Sequence, residues 1–173
     1  ANKERIHDGA TPLVIACKQG RAAIVEMLLA WDEIDVNKVS KARGTLGGRA
    51  RAIYGYKTGD YRKYGCTCGC TPLFVACSRG HTEVVRMLLA HDRVDVNQAK
   101  IAIYGGPGGT PLYTACGYRR AEIVAMLLAS DEIDVNQAAT GNHATPISAA
   151  CARGPTETRT HAQTEIIMML LAR

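Results

Sequence analysis

Hydrophobic positions along this chain come in two short bursts of helical spacing, split by a small polar turn and followed by an alternating tail, and the whole pattern then repeats. The clearest copy runs from Thr71 to Asn97, TPLFVACSRGHTEVVRMLLAHDRVDVN. Thr71 offers a side-chain oxygen to an orphan helix amide and Pro72 suits the first helical position, so a helix is predicted to start here. Leu73, Ala76 and Cys77 fall on one stripe of it, and Gly80 is able to take the positive φ at which such a helix stops. Thr82 is expected to cap a second helix whose Val84, Val85, Leu88 and Leu89 make a wider apolar face. From Val94 to Asn97 the helical period is gone, so the block reads as helix, turn, helix and extended arm.

Further copies cover Thr11 to Asn37, Thr110 to Asn136, and Thr145 to Arg173, the last split after Gly154 and resuming at Thr164. Helix pairs this short cannot bury their own apolar faces, so they are expected to stack and share a continuous core. The T-P-L-x-x-A opening, the central G-H and the closing D-V-N, at Thr71, Pro72, Leu73, Ala76, Gly80, His81, Asp95, Val96 and Asn97, resemble the ankyrin repeat. The resemblance implies an all-α repeat solenoid, a stack of helix-turn-helix units with extended β-hairpin loops, forming one domain over residues 1–173. It implies that His81 braces neighbouring turns through hydrogen bonds. It also implies that Val14, Phe74, Tyr113 and Ser148 face a concave groove, with Lys18-Gln19, Ser78-Arg79, Gly117-Tyr118 and Ala152-Arg153 along the same groove; Phe74 and Tyr113 read equally as an interface centre or as side chains buried under the long loops.

The threonines that open the blocks are 60, 39 and 35 residues apart. The excess over a base unit near 34 lies between one block's Asn and the next block's Thr, in segments 38–70, 98–109 and 137–144. In the family resembled, these segments are the hairpins that edge the binding surface, and loops tolerate added length at small entropic cost. A further insertion, 155–163, separates the two helices of the last block and reads as a solvated loop. In the third block Arg119 stands where the others have glycine, which implies about 1 kcal/mol of strain or an adjustment at Gly117. The chain starts in the manner of an arm and stops after a second helix without a polar outer face. A piece of a longer array or a deliberately cut chain, with some tendency to associate end to end, is therefore expected.

Charge changes the picture through its placement. Segment 38–70 holds eight Lys or Arg against one acid, Asp60, a net of +7 that leaves −2 of the chain's +5 for everything else. It also holds Tyr54, Tyr56, Tyr61 and Tyr64 among its glycines, and Tyr-Gly-Tyr-Lys-Thr-Gly-Asp-Tyr reads as a small hairpin. Tyrosines in glycine-rich loops give large amphipathic contact area at low entropic cost, as recognition loops require. The bland readings are a mobile basic tether or tyrosines packed down on the repeats. Segment 98–109 echoes it, Ile-Ala-Ile-Tyr-Gly after Ala-Ile-Tyr-Gly, which suggests that the two loops lie side by side with Ile53 and Ile103 in equivalent places, although duplication without contact gives the same echo.

Cys17, Cys77, Cys116 and Cys151 hold the same place in four first helices and read as small core residues. Cys66, Cys68 and Cys70 are an odd set at alternate positions with no C-x-x-C pair, so neither zinc nor a disulfide framework is expected, and a reducing intracellular setting, cytoplasmic or nuclear, fits. The five histidines pair with no nucleophile, and Gly105-Gly106-Pro107-Gly108-Gly109 lacks the lysine of a phosphate loop. No catalytic site, cofactor, metal or membrane anchor is expected. The function expected is non-catalytic protein–protein recognition through the concave groove and the extended loops. The contact residues would be Tyr54, Tyr56, Lys57, Tyr61, Arg62, Lys63, Tyr64, Phe74, Arg79, Tyr104, Tyr113 and Tyr118. Two alternatives stand beside it: nucleic-acid binding through the basic Tyr-containing loop 38–70, and an engineered loop-bearing scaffold without a natural target.

Overall fold

Four threonines set the frame of the structure, a computed structural model that describes residues 10–40, 69–101, 108–152 and 161–173. Thr11, Thr71, Thr110 and Thr145 stand in extended backbone. Their side-chain oxygens accept from the amides of Val14, Phe74, Tyr113 and Ser148 at 3.2, 3.1, 3.0 and 3.5 Å. Each is followed by proline at the first helical position. The first helices are α1 (Pro12–Gln19), α3 (Pro72–Arg79), α5 (Pro111–Gly117) and α7 (Pro146–Cys151). The second helices are α2 (Ala22–Leu29), α4 (Thr82–Leu89), α6 (Ala121–Leu128) and α8 (His161–Leu171).

Gly20 and Gly80 end their helices at φ +66° and +80°, and Arg119 takes the same left-handed place at φ +58°. The hydrogen bonds at the third turn match those at the first two. Arg119 N donates to Cys116 O and Arg120 N to Ala115 O, as Gly80 N does to Cys77 O and His81 N to Ala76 O. The chain path there is therefore kept despite the side chain, and Gly117 stays within α5. The second helices start otherwise than expected. His81, not Thr82, holds the N-cap place of α4 and makes no side-chain cap, while Thr82 is the first helical residue. Its hydroxyl instead donates across to Glu122 Oε2 of the next repeat at 3.4 Å.

First helices pack on first helices and second on second, in the order of the chain, so the repeats stand in file. Leu13, Leu73 and Leu112 with Cys17, Cys77 and Cys116 form one column of the core, and Val25, Val85, Val124, Leu88 and Leu127 another. The apolar stripe of each helix is thus completed only by its neighbours. Position 24 of the chain shows this directly. Its equivalents Val84, Ile123 and Ile166 are buried against the preceding repeat, whereas Ile24 is 38% exposed, with Met27 at 68% and Trp31 at 49% beside it.

Three expectations are corrected here. Cys151 is exposed, unlike its three counterparts, because α7 ends at that residue. Val14 is buried rather than open to a groove, packed with Ala10, Cys70 and Val75 in a second, smaller cluster. Residues 161–163 belong to α8 and not to a solvated insertion: Gln163 is buried and its Nε2 donates to Ala150 O at 2.8 Å. Among the described residues no strand forms; of the extended hairpins expected at 38–70 and 98–109 only the bases are described, and the rest lies outside the described residues.

Candidate recognition surface

The bases of the loops are tied to one another through the main chain. In the first, Gly69 N donates to Ser40 O at 2.7 Å and Ser40 N to Cys70 O at 3.1 Å. Lys100 N donates to Gly109 O at 2.9 Å and closes the second, and Ala139 N closes the third by donating to Ala144 O at 2.8 Å. Between loops, Ile101 N donates to Gly69 O at 2.8 Å, and Gly108 and Thr140 exchange both amide bonds at 3.1 and 2.9 Å. A continuous hydrogen-bonded rim therefore runs along one edge of the stack, and the two large insertions leave from it. The side-by-side placement expected for Ile53 and Ile103 lies outside the described residues.

Next to the rim stands the row of first-helix side chains. Phe74 is half-buried and leans on the cluster of Val14, Cys70 and Val75. Tyr113 is half-buried as well, with its ring against Gly109. A Cβ at that glycine would come within 2.9 Å of the ring carbon Cε1, so only glycine admits the ring there. Both aromatics are therefore seated under the loop bases with one side open, which combines the two roles weighed from the sequence. Ser148, at the same position of α7, is exposed, while at the turn ends of α3 and α5 Arg79 is exposed and Tyr118 half-buried. Phe74 and Arg79 thus stand on α3 and Tyr113 on α5, with Tyr118 just past the end of α5. Tyr54, Tyr56, Lys57, Tyr61, Arg62, Lys63, Tyr64 and Tyr104 lie outside the described residues.

Two sets of residues hold this face rigid. His81 Nε2 lies 3.2 Å from Lys18 O, with its ring over Gly20, and Arg120 Nη2 donates to Arg79 O at 3.4 Å with its guanidinium over Gly80. The residue that follows each turn thus reaches back over the glycine of the turn before. At the arms, Asn37 Nδ2 donates to Arg93 O at 2.7 Å and its Oδ1 accepts from Asp95 N at 2.9 Å. Asn97 does the same with Glu132 O and Asp134 N, at 2.7 and 2.8 Å. This asparagine clamp was missed in the sequence, although the recurrence of Asn at the end of every arm was a signal for it.

Chemically the interior is quiet. Burial pushes the Cys17 and Cys116 thiols up to about 12, and raises Cys77 further, with Cys17 adding to it. These thiols stay protonated at neutral pH and are poor nucleophiles and ligands. Among the described residues no His, Cys, Asp and Glu converge in a way that could hold a metal ion. Nor is any described helix long and apolar enough to cross a membrane.

The repeats are recognised by family models: ankyrin repeats, in three copies, match residues 50–139, just over half of the chain, and a single ankyrin repeat matches residues 8–41. None of the curated proteins compared with it matches. The chain belongs to the ankyrin repeat family.

Proposed function

We propose that this chain is a non-catalytic recognition module that grips a protein or peptide partner across the loop rim and the adjoining first-helix row. Ankyrin repeats are generally protein–protein interaction modules. The observation that supports this chain's version of that role is the rim itself. Ile101 N to Gly69 O and the Gly108–Thr140 pair fasten the loop bases together, so residues leaving them share one rigid footing. Phe74 and Tyr113, half-buried beside the rim, supply the aromatic centre that interfaces favour, and exposed Arg79 supplies a polar margin. The basic, Tyr-bearing segment 38–70 adds identity to that footing.

The test is a ligand selected from a peptide library on the whole chain, followed by two variants. Phe74→Ala with Tyr113→Ala is expected to weaken binding about a hundredfold, the loss of two hot-spot aromatics. Replacing residues 41–68 by a short Gly-Ser linker is expected to weaken binding while leaving the unfolding midpoint close to that of the parent. Unchanged affinity in both variants would sink the proposal. A companion reading concerns self-association. Ile24, Met27 and Trp31 present the face that Val84 and Ile123 bury in inner repeats, so concentrated solutions are expected to contain end-to-end oligomers that Met27→Glu disperses in sedimentation velocity.

A further inference from the structure

Charge is divided between the two ends of each helix pair. At the turns, residues 18–21, 78–81 and 117–120, stand Lys18, Arg21, Arg79, Arg119 and Arg120 without one carboxylate. At the arms, residues 31–37, 91–97 and 130–136, eight carboxylates stand against a single arginine, Arg93. Because the helices of a pair run antiparallel, these two bands lie at opposite ends of every repeat.

Among the described residues Arg21, Arg79, Arg119 and Arg120 form no ion pair. Of the carboxylates nearest in sequence, Glu26, Glu83 and Glu122, the second is engaged by Arg86 and the third by the Thr82 hydroxyl. The hydrogen bonds of these arginines use one donor each at most, Arg21 Nε to Gln19 Oε1 and Arg120 Nη2 to Arg79 O, out of five per guanidinium. Since Arg120 reaches back over Gly80, its charge falls beside Arg79, and Arg119 then carries the line into the third repeat. Arg119 does so at φ +58°, in a place where Gly20 and Gly80 serve the same turn without strain.

We infer that this ridge of turns docks an acidic, extended polypeptide segment carrying a carboxylate at every third residue. Successive helix pairs are about 8–10 Å apart. A polyproline-II segment has three residues per turn and rises about 9.3 Å in that turn, so every third side chain meets the next repeat's guanidinium. A β-strand returns to the same face after only about 6.7 Å and falls out of register. Carboxylates can be taken by guanidinium forks in bidentate fashion, which favours them over a diffuse counter-charge. The inference rests on the recognition reading above and names the chemistry of the partner.

The probes are fluorescein-labelled peptides of about twelve residues, four polyproline-II turns. One repeats Glu-Pro-Ala; its isomer of the same composition has its glutamates at alternate positions; an oligothymidine of matching length is the third probe. Anisotropy at low salt is expected to show the first bound about tenfold tighter than the isomer. Arg21→Glu and Arg119→Glu are each expected to weaken it about fivefold, and Arg93→Glu on the arm edge to leave it unchanged. Arg119→Gly keeps the chain from being judged by misfolding: its unfolding midpoint is expected to rise while binding weakens. Equal binding of the two isomers, oligothymidine bound as tightly as the peptide, or undiminished affinity in Arg119→Gly would overturn the inference. Where a library-selected ligand is lost on Phe74→Ala but indifferent to Arg21→Glu and Arg119→Glu, the ridge falls and the recognition reading stands. Where no peptide binds the chain at all, both fall.

Discussion

At the arm end of each helix pair the chain repeats one solution, and at the turn end it varies the side chains over one unchanging backbone. Asp-Val-Asn closes the first three arms, and in the first two the asparagine spans to the next arm through both its amide groups. The turns read Gln-Gly-Arg, Arg-Gly-His and Tyr-Arg-Arg, yet they make the same two main-chain hydrogen bonds. Where a side chain completes the stack, its identity cannot change without leaving partners unmet. Where the backbone completes the turn, the side chains other than the back-reaching His81 and Arg120 are released for other uses. The comparison separates the part of the molecule that builds the stack from the part able to give it character.

The core between the two ends should respond most strongly, and alkaline pH reaches it directly. Burial raises the Cys17 and Cys116 thiols from 9.0 to about 12, so the stability they lend is fully present below about pH 9 and is lost as pH rises toward 12. The cost approaches about 1.4 kcal/mol per thiol for each pH unit in that window. Urea midpoints measured from pH 8 upward should fall, and fall less steeply in Cys116→Ala; a flat profile would contradict the buried column. Next, Leu88→Ala removes a fully buried side chain shared by neighbouring repeats and should cost about 2–5 kcal/mol in denaturant unfolding.

At the turn end, Gly80→Ala should cost about 1–2 kcal/mol, because φ is +80° and the new Cβ would lie 2.7 Å from Arg120 Cζ. Gly117→Ala is its control: the nearest atom would be 3.9 Å away and the residue is helical, so this variant should gain up to about 1 kcal/mol. Equal effects from both would erase the claim that the turn is a backbone device. At the arm end, Asn97→Ala should cost about 1–2 kcal/mol for two lost hydrogen bonds. Asn136→Ala should stay within about 0.5 kcal/mol, since that side chain is exposed. A large loss at Asn136 would mean that the residue matters to its own arm rather than to the neighbour.

Much of this fold could be read in advance because its signals act within a few residues. Thr before Pro starts each first helix, glycine ends two of them, and Arg119 was recognised as standing in a glycine's place. The errors fall where a local signal meets a neighbour. Thr82 looked like a cap and instead bonds to Glu122 of the following repeat. Cys151 looked like Cys77, but α7 stops there and leaves it exposed. Val14 looked open, yet Ala10 and Cys70, each just before an opening threonine, cover it. Of the surface residues chosen from the sequence, Phe74 and Tyr113 are half-buried beside the loop bases, which was only one of two readings of them.

Sequence alone determined the number of helix pairs, where each begins, and which stripe of each is apolar, since caps and 3.6-residue periodicity are settled within a single turn or two. Tertiary structure decided which of those residues meet the next repeat. It set the asparagine spans, the guanidinium over Gly80 and the joined loop bases, because these depend on the distance and angle between units dozens of residues apart. No local pattern encodes that separation; it appears only once the shared core has brought the repeats into contact.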